Sequence, residues 1–262
     1  MRDGLPPSGS VIDHTRRSVS VPRHLMPVLL ALHAGERPGS TEAVVGLRAD
    51  GLMRAERLDP LLTTLIGVMT NPALVITVEV AGARTPRLAT IWGTPQRAVL
   101  GMTDDRHRFD LIQIEPGLLP FHLAQATGLA PHPQPPFSGG FWLPGALLKS
   151  VEELIKTDPA AAEASLQRAG VPIVWADRLL IALAHQRALW TVESVWLGTR
   201  RQRRDARLSV LDAGPAGHWR LSGSSSDDSI NLAVSCFDEI MRLFSNLLPG
   251  GSAADGPEQP LD

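Results

Sequence analysis

DPLLTTLIGVMTNPALVITVEVAGARTPRLATIWGTPQRAVLGMTDDRHRFDLIQI, residues 59–114, changes hydrophobic period once and then keeps the new one. Asp59 is a helix N-cap by type, and Pro60 stands at the first helical position, where its missing N–H costs nothing. Leu61, Leu62, Leu65, Ile66 and Met69 share one helical face, and the helix must stop before Asn71-Pro72. Beyond it, 74–80, 88–92, 97–102 and 109–114 read as strands, separated by turn signals at Gly82, Gly93-Thr94-Pro95 and Asp104-Asp105. Strands this close in sequence predict an antiparallel meander. A helix over 116–127, closed by Gly128, follows it.

Outward from this stretch, the second half of the chain gives the same succession. A cap-plus-proline start recurs at Asp158-Pro159, and Asp177 is read as the cap of a helix over 177–187. Strand candidates follow at 189–197, 207–212, 218–221 and 229–234. The last helix is expected over 235–248, with Ser235 as cap and Asp238 three residues on. Segments 59–70 and 109–127 each find a counterpart about 120 residues later, at 177–187 and 229–248. The reading is an α+β protein, a pseudo-twofold arrangement of two helix–antiparallel meander–helix halves, with a central sheet and helical bundles. A chance recurrence of a common arrangement is the other reading of the repeat.

The halves are placed at 19–130 and 141–249, as one structural domain. Between them 131–140, PHPQPPFSGG, reads as a Pro/Gly-rich linker without regular structure, ahead of an amphipathic segment 144–156. Residues 1–18 and 250–262 read as disordered. A first helix is expected to open with Ser20 as cap and to end at Gly35, with Pro27 breaking or kinking it.

Composition narrows the function. The 262 residues carry a formal net charge of −2 and a pI near 6.4, which disfavours a nucleic-acid binder. No apolar run approaches the ~20 residues of a membrane span, and the N-terminal segment has no signal-peptide core, so the expected location is the cytoplasm, without direct membrane insertion. A lone cysteine, Cys236, excludes an internal disulfide framework. The chain has no G-x-S-x-G elbow, phosphate-binding glycine loop, dinucleotide fingerprint or H-E-x-x-H pair. Its eight histidines (14, 24, 33, 107, 122, 132, 185 and 218) are scattered, with no carboxylate at ligand spacing. No catalytic residue, cofactor or metal is therefore expected. Asp104-Asp105 with His107 and Asp110 reads as a hairpin turn, and Cys236 as a small apolar residue near a helix start. Arg200, Arg201, Arg203, Arg204 and Arg207 form the one dense basic stretch, expected in a loop between strands and suited to steering an acidic partner. The six tryptophans are either core or exposed anchors for a partner.

Two stretches resemble the EspG family, the cytosolic chaperones of type VII (ESX) secretion. One is VVGLRADGLMRAERLDPLLTTLIGVMTNPALVITVEV, a Gly-Leu-rich stretch, an acid-capped helix, then Asn-Pro leading into a strand. The other is RRDARLSVLDAGPAGHWRLSGSSSDDSINLAVSCFDEIMRLFSNLLPG, which is similar to the family's strand–Gly turn–strand–acidic loop–strand–helix ending. The resemblance spans about residues 19–249 and implies a quasi-twofold α+β fold and no catalysis. It implies binding to the exposed apolar tip of a PPE protein in a PE–PPE heterodimer, keeping it soluble and directing it to its secretion system. Such a patch drives self-association unless a partner covers it. The family's contacts map onto the 81–87 loop, hence Ala83, Arg84, Thr85 and Arg87, and onto the last helix with Phe237, Met241 and Phe244. Arg203 and Arg204 join these as steering charges. The 81–87 loop is short, and His218-Trp219 stands where the family leads one to expect an Arg and an aromatic. The resemblance leaves self-association open. A non-enzymatic binding or scaffold protein with another partner is the alternative reading.

Overall fold

The computed structural model describes residues 9–82, 86–103, 107–132, 138–198, 202–223 and 228–250. In chain order the first half contains β1 (Val11–Asp13), β2 (Ser18–Pro22), α1 (Met26–His33), α2 (Thr41–Ala49), β3 (Met53–Arg54), β4 (Arg57–Leu58), α3 (Pro60–Thr70), β5 (Leu74–Ala81), β6 (Arg87–Gly93), β7 (Ala98–Thr103), β8 (Arg108–Ile114) and α4 (Leu119–Thr127). The second contains β9 (Gly139–Pro144), α5 (Gly145–Leu154), α6 (Pro159–Arg168), α7 (Ile173–Ala184), β10 (Ala188–Leu197), β11 (Arg203–Asp212), β12 (His218–Gly223), β13 (Ser229–Ser235) and α8 (Phe237–Asn246). Eleven strands form one sheet in the order β1-β2-β8-β7-β6-β5-β10-β11-β12-β13-β9, and β3 pairs β4 separately.

The repeat is stricter than helix–meander–helix. Each half runs leading strand, three α-helices, four-strand meander, helix; the first half adds β1 ahead of its leading strand β2 and the β3–β4 hairpin between α2 and α3. The leading strand pairs antiparallel with the last meander strand: β2 with β8, where Ser18 faces Ile112, and β9 with β13, where Pro144 faces Ser229. The protein is thus α+β, with the order of leading strand, helices, meander and closing helix shared by both halves.

Both leading strands lie where the sequence reading placed something else. Ser18–Pro22 alternates Ser and Val, and Val19 and Val21 are buried on β8, so Ser20 is a strand residue and no helix cap. The hairpin from Val11 also occupies part of the segment read as disordered. The helix starts later, at Met26, and Pro27 falls in its first turn, where it initiates the helix. On the other side, Gly139 and Gly140, read as linker, belong to β9. Each needs to be glycine for its own reason: Gly139 takes φ +112°, and a Cβ on Gly140 would lie 2.5 Å from the Leu232 carbonyl oxygen.

Helix starts divide the same way. Asp59 and Asp158 cap α3 and α6 as expected, accepting from the N–H groups of Leu61 (2.9 Å) and Ala161 (3.0 Å). Asp177 does not cap: α7 begins at Ile173 behind Pro172, and Asp177 stands exposed inside the helix. The unforeseen α2 has its own cap, Ser40, whose hydroxyl accepts from Ala43 N at 3.2 Å. Ser235 ends β13 opposite His218, so α8 opens behind Cys236 without a side-chain cap.

By packing, the described chain divides into two compact units. One comprises residues 9–77, 87–119 and 195–204; the other, residues 78–86, 120–194 and 205–250. The first unit's core joins Leu29, Leu47, Leu62, Leu65 and Ile66 to Val99 and Leu111. The second joins Val151, Leu166, Leu179 and Leu183 to Leu211, Trp219 and Leu232. The terminal stretches 1–8 and 251–262 lie outside the described residues.

Candidate functional site

Of the residues expected to meet a partner, Ala83, Arg84 and Thr85 lie outside the described residues, as do Asp104 and Asp105 of the acidic turn. Arg87 opens β6 and is exposed, followed by Leu88, which exposes 55% of its surface. His107 has φ +57° and its carbonyl accepts from Arg23 N at 2.9 Å, a backbone role suited to a turn.

The arginines 203, 204 and 207 are strand residues; the loop reading for them is corrected, while 199–201 lie outside the described residues. Gly198 N–H donates to Gln202 O at 2.8 Å and closes the β10–β11 hairpin just before them. Strand alternation then splits the cluster. Arg203 and Arg207 stand on the exposed side with Asp205, and Arg204 turns toward the half-buried side with Ala206. Arg207 also pairs with Glu193 across the hairpin at 3.2 Å. The described arginines of the basic stretch therefore do not share one face.

The last helix likewise sorts its apolar residues. Ile240 and Phe244 are fully buried and Leu247 nearly so, while Phe237 and Met241 are half-buried. The Phe244 ring packs 5.6 Å from that of Trp190 on β10. At its C-terminal end the Ser194 hydroxyl donates to Leu247 O at 2.7 Å, satisfying a carbonyl that helix ends leave open. Phe244 is core and presents no surface; Phe237 and Met241 do. Cys236 is half-buried. Among the tryptophans, Trp190, Trp196 and Trp219 are core, and Trp142 on β9 is exposed by 58%.

One polar cluster in the second unit was not visible in the sequence. The β11–β12 register sets Asp212 opposite His218, and His132, just past α4, reaches them. His132 Nε2 is 3.0 Å from Asp212 Oδ1, which also accepts the Gly214 N–H at 2.8 Å, and the two imidazole centroids are 4.7 Å apart. Burial pushes His218 down to about 4, with Asp212 opposing this and His132 adding to it. His218 thus stays neutral near pH 7, and its Nε2 is buried without a hydrogen-bond partner. Among the described residues these three form the one group of three His, Cys, Asp or Glu side chains with ligand atoms close enough to share a metal ion.

Together these features define an α+β protein of two repeated strand–helices–meander–helix units with apolar side chains exposed at strand and helix positions. The EspG family model matches residues 25–236, and the chain belongs to that family. Among solved structures it is similar to the Mycobacterium tuberculosis type VII secretion system chaperone EspG5 in complex with the PE25-PPE41 dimer. That likeness has a TM-score of 0.64 at 12% identity and covers 89% of this chain and 98% of that one, a shared fold. No curated protein matches the sequence.

Proposed function

We propose that this protein is a chaperone of type VII (ESX) secretion that binds a PE–PPE heterodimer through the apolar tip of its PPE subunit. It keeps the pair soluble, delivers it to its secretion system, acts in the cytoplasm and catalyses no reaction. The observation that carries this is the family match over 25–236, on a fold shared with a chaperone solved in complex with a PE–PPE dimer. The physical task is to cover an apolar patch whose exposure drives aggregation. Side chains suited to it are exposed here: Leu88 at the start of β6 and Leu197 at the end of β10, which exposes 60%. Arg87 and Arg203 add exposed positive charge to the first unit, and Phe237 and Met241 offer half-buried apolar surface on the second.

Co-purification of tagged protein from its native host tests the reading. A stoichiometric PE–PPE pair in the cytosolic fraction is the expected result, and its reconstitution from purified parts should give one complex by size-exclusion chromatography with light scattering. Recovery of an unrelated enzyme or RNA without any PE–PPE pair overturns it.

A further inference from the structure

We propose that His132, Asp212 and His218 form a binding site for a divalent transition-metal ion, Zn²⁺ by ligand chemistry. This stands apart from the chaperone reading and does not depend on it.

The placement is set by secondary structure. Asp212 is the last residue of β11 and His218 the first of β12, paired across the hairpin, which fixes two of the three groups on rigid backbone. His132 arrives from a point 80 residues earlier in the chain. One ligand atom from each residue lies within 4.8 Å of the other two. Ligand atoms around a tetrahedral Zn²⁺ with ~2.1 Å bonds stand about 3.4 Å apart. The His132–Asp212 separation of 3.0 Å is already near that value, and the other separations are no longer than 4.8 Å.

His218 gives the second, independent sign. It is 1% exposed, and its Nε2 has no hydrogen-bond partner. A buried polar nitrogen without a partner is unfavourable, and native proteins rarely leave one so. A metal ion beside Asp212 would take up its lone pair. The His132 and Asp212 side chains are 10% and 12% exposed, so the cluster is largely sheltered from solvent.

The donor set selects the ion. Two imidazoles and one carboxylate suit Zn²⁺ and its spectroscopic substitute Co²⁺, and offer too few oxygens for Ca²⁺ or Mg²⁺. The Gly214 N–H on Asp212 Oδ1 orients the carboxylate, the kind of supporting hydrogen bond that tunes metal ligands. Three protein ligands leave a fourth position for water.

The test uses the full chain after chelator treatment, titrated with Zn²⁺ by calorimetry and with Co²⁺ by absorption. The expected result is one ion per chain, a tetrahedral Co²⁺ spectrum and a raised Tm with Zn²⁺. His132→Gln and His218→Gln should each weaken Zn²⁺ by at least tenfold and remove the tetrahedral bands. His185→Gln, a substitution at an exposed histidine elsewhere, should change neither. His132 lies outside the strands, so His132→Gln decides the matter even if His218→Gln fails to fold. No stoichiometric binding, or binding and Co²⁺ bands unchanged in His132→Gln, overturns the proposal.

Discussion

The Phe244 ring of α8 and the Trp190 indole of β10 are both almost wholly buried, with centroids 5.6 Å apart and planes at 41°. This pair ties the last helix to the sheet, so Phe244 works in the core. Phe244→Ala should cost about 3–5 kcal/mol, the range for emptying a buried aromatic site. Urea unfolding followed by fluorescence measures it. Met241→Ala, half-buried, should cost far less and leave partner binding as the readout that moves.

Gly140→Ala should weaken the β9–β13 edge. The added methyl would sit 2.5 Å from the Leu232 carbonyl oxygen and 2.9 Å from Ala233 Cα, both backbone atoms that cannot swing aside. A loss of about 1–3 kcal/mol is expected from such overpacking. Faster amide exchange across Ile230–Ala233 and 139–144 would be its local signature, because the register pairs those residues.

Asp59 and Asp177 look alike in sequence, each near the start of an apolar helix, but only Asp59 caps. Asp59→Ala should destabilise by about 1 kcal/mol through the lost bond to Leu61 N. Asp177→Ala, exposed within α7, should stay within about 0.5 kcal/mol. Thermal denaturation of the two variants side by side separates these outcomes.

Acid should destabilise the metal-free protein through His218. Its folded pKa is about 4 and its ordinary value 6.5, so the unfolded chain takes up a proton that the native state refuses. The stabilisation from keeping it neutral is complete above about pH 6.5 and is lost as pH falls toward 4. A plot of unfolding free energy against pH should show that descent, and His218→Gln, if folded, should flatten it.

Arg203 stands exposed at the start of β11, so charge reversal there should act on association more than on stability. For Arg203→Glu a slower on-rate toward the PE–PPE pair and a weaker salt dependence are expected, with little change in off-rate. Surface plasmon resonance over a range of ionic strength checks it. An on-rate indifferent to both salt and substitution removes the steering role.

Much of the fold was legible because its signals are local. The period change after Asn71 located α3 and the first meander, and the recurrence about 120 residues later located the second. The leading strands β2 and β9 were not legible, because each is a short segment whose strand character comes from distant partners: β8 beside β2, which β1 flanks on the other side, and β13 beside the edge strand β9. Arg203 and Arg204 are neighbours in sequence yet are directed to opposite faces by the pleat. Phe237, Met241 and Phe244 share a helical stripe in sequence; burial on Trp190 and the rest of the core distinguishes Phe244 from the other two.

The sequence by itself determined the α+β class, the twice-repeated succession and the family resemblance, since periodicity, caps and turn residues act over a few positions. Only the tertiary structure decided which apolar and basic residues remain at the surface and that His132, Asp212 and His218 meet. Ligand-forming geometry between residues 80 positions apart is set by strand register and chain return, and neither leaves a mark in local spacing.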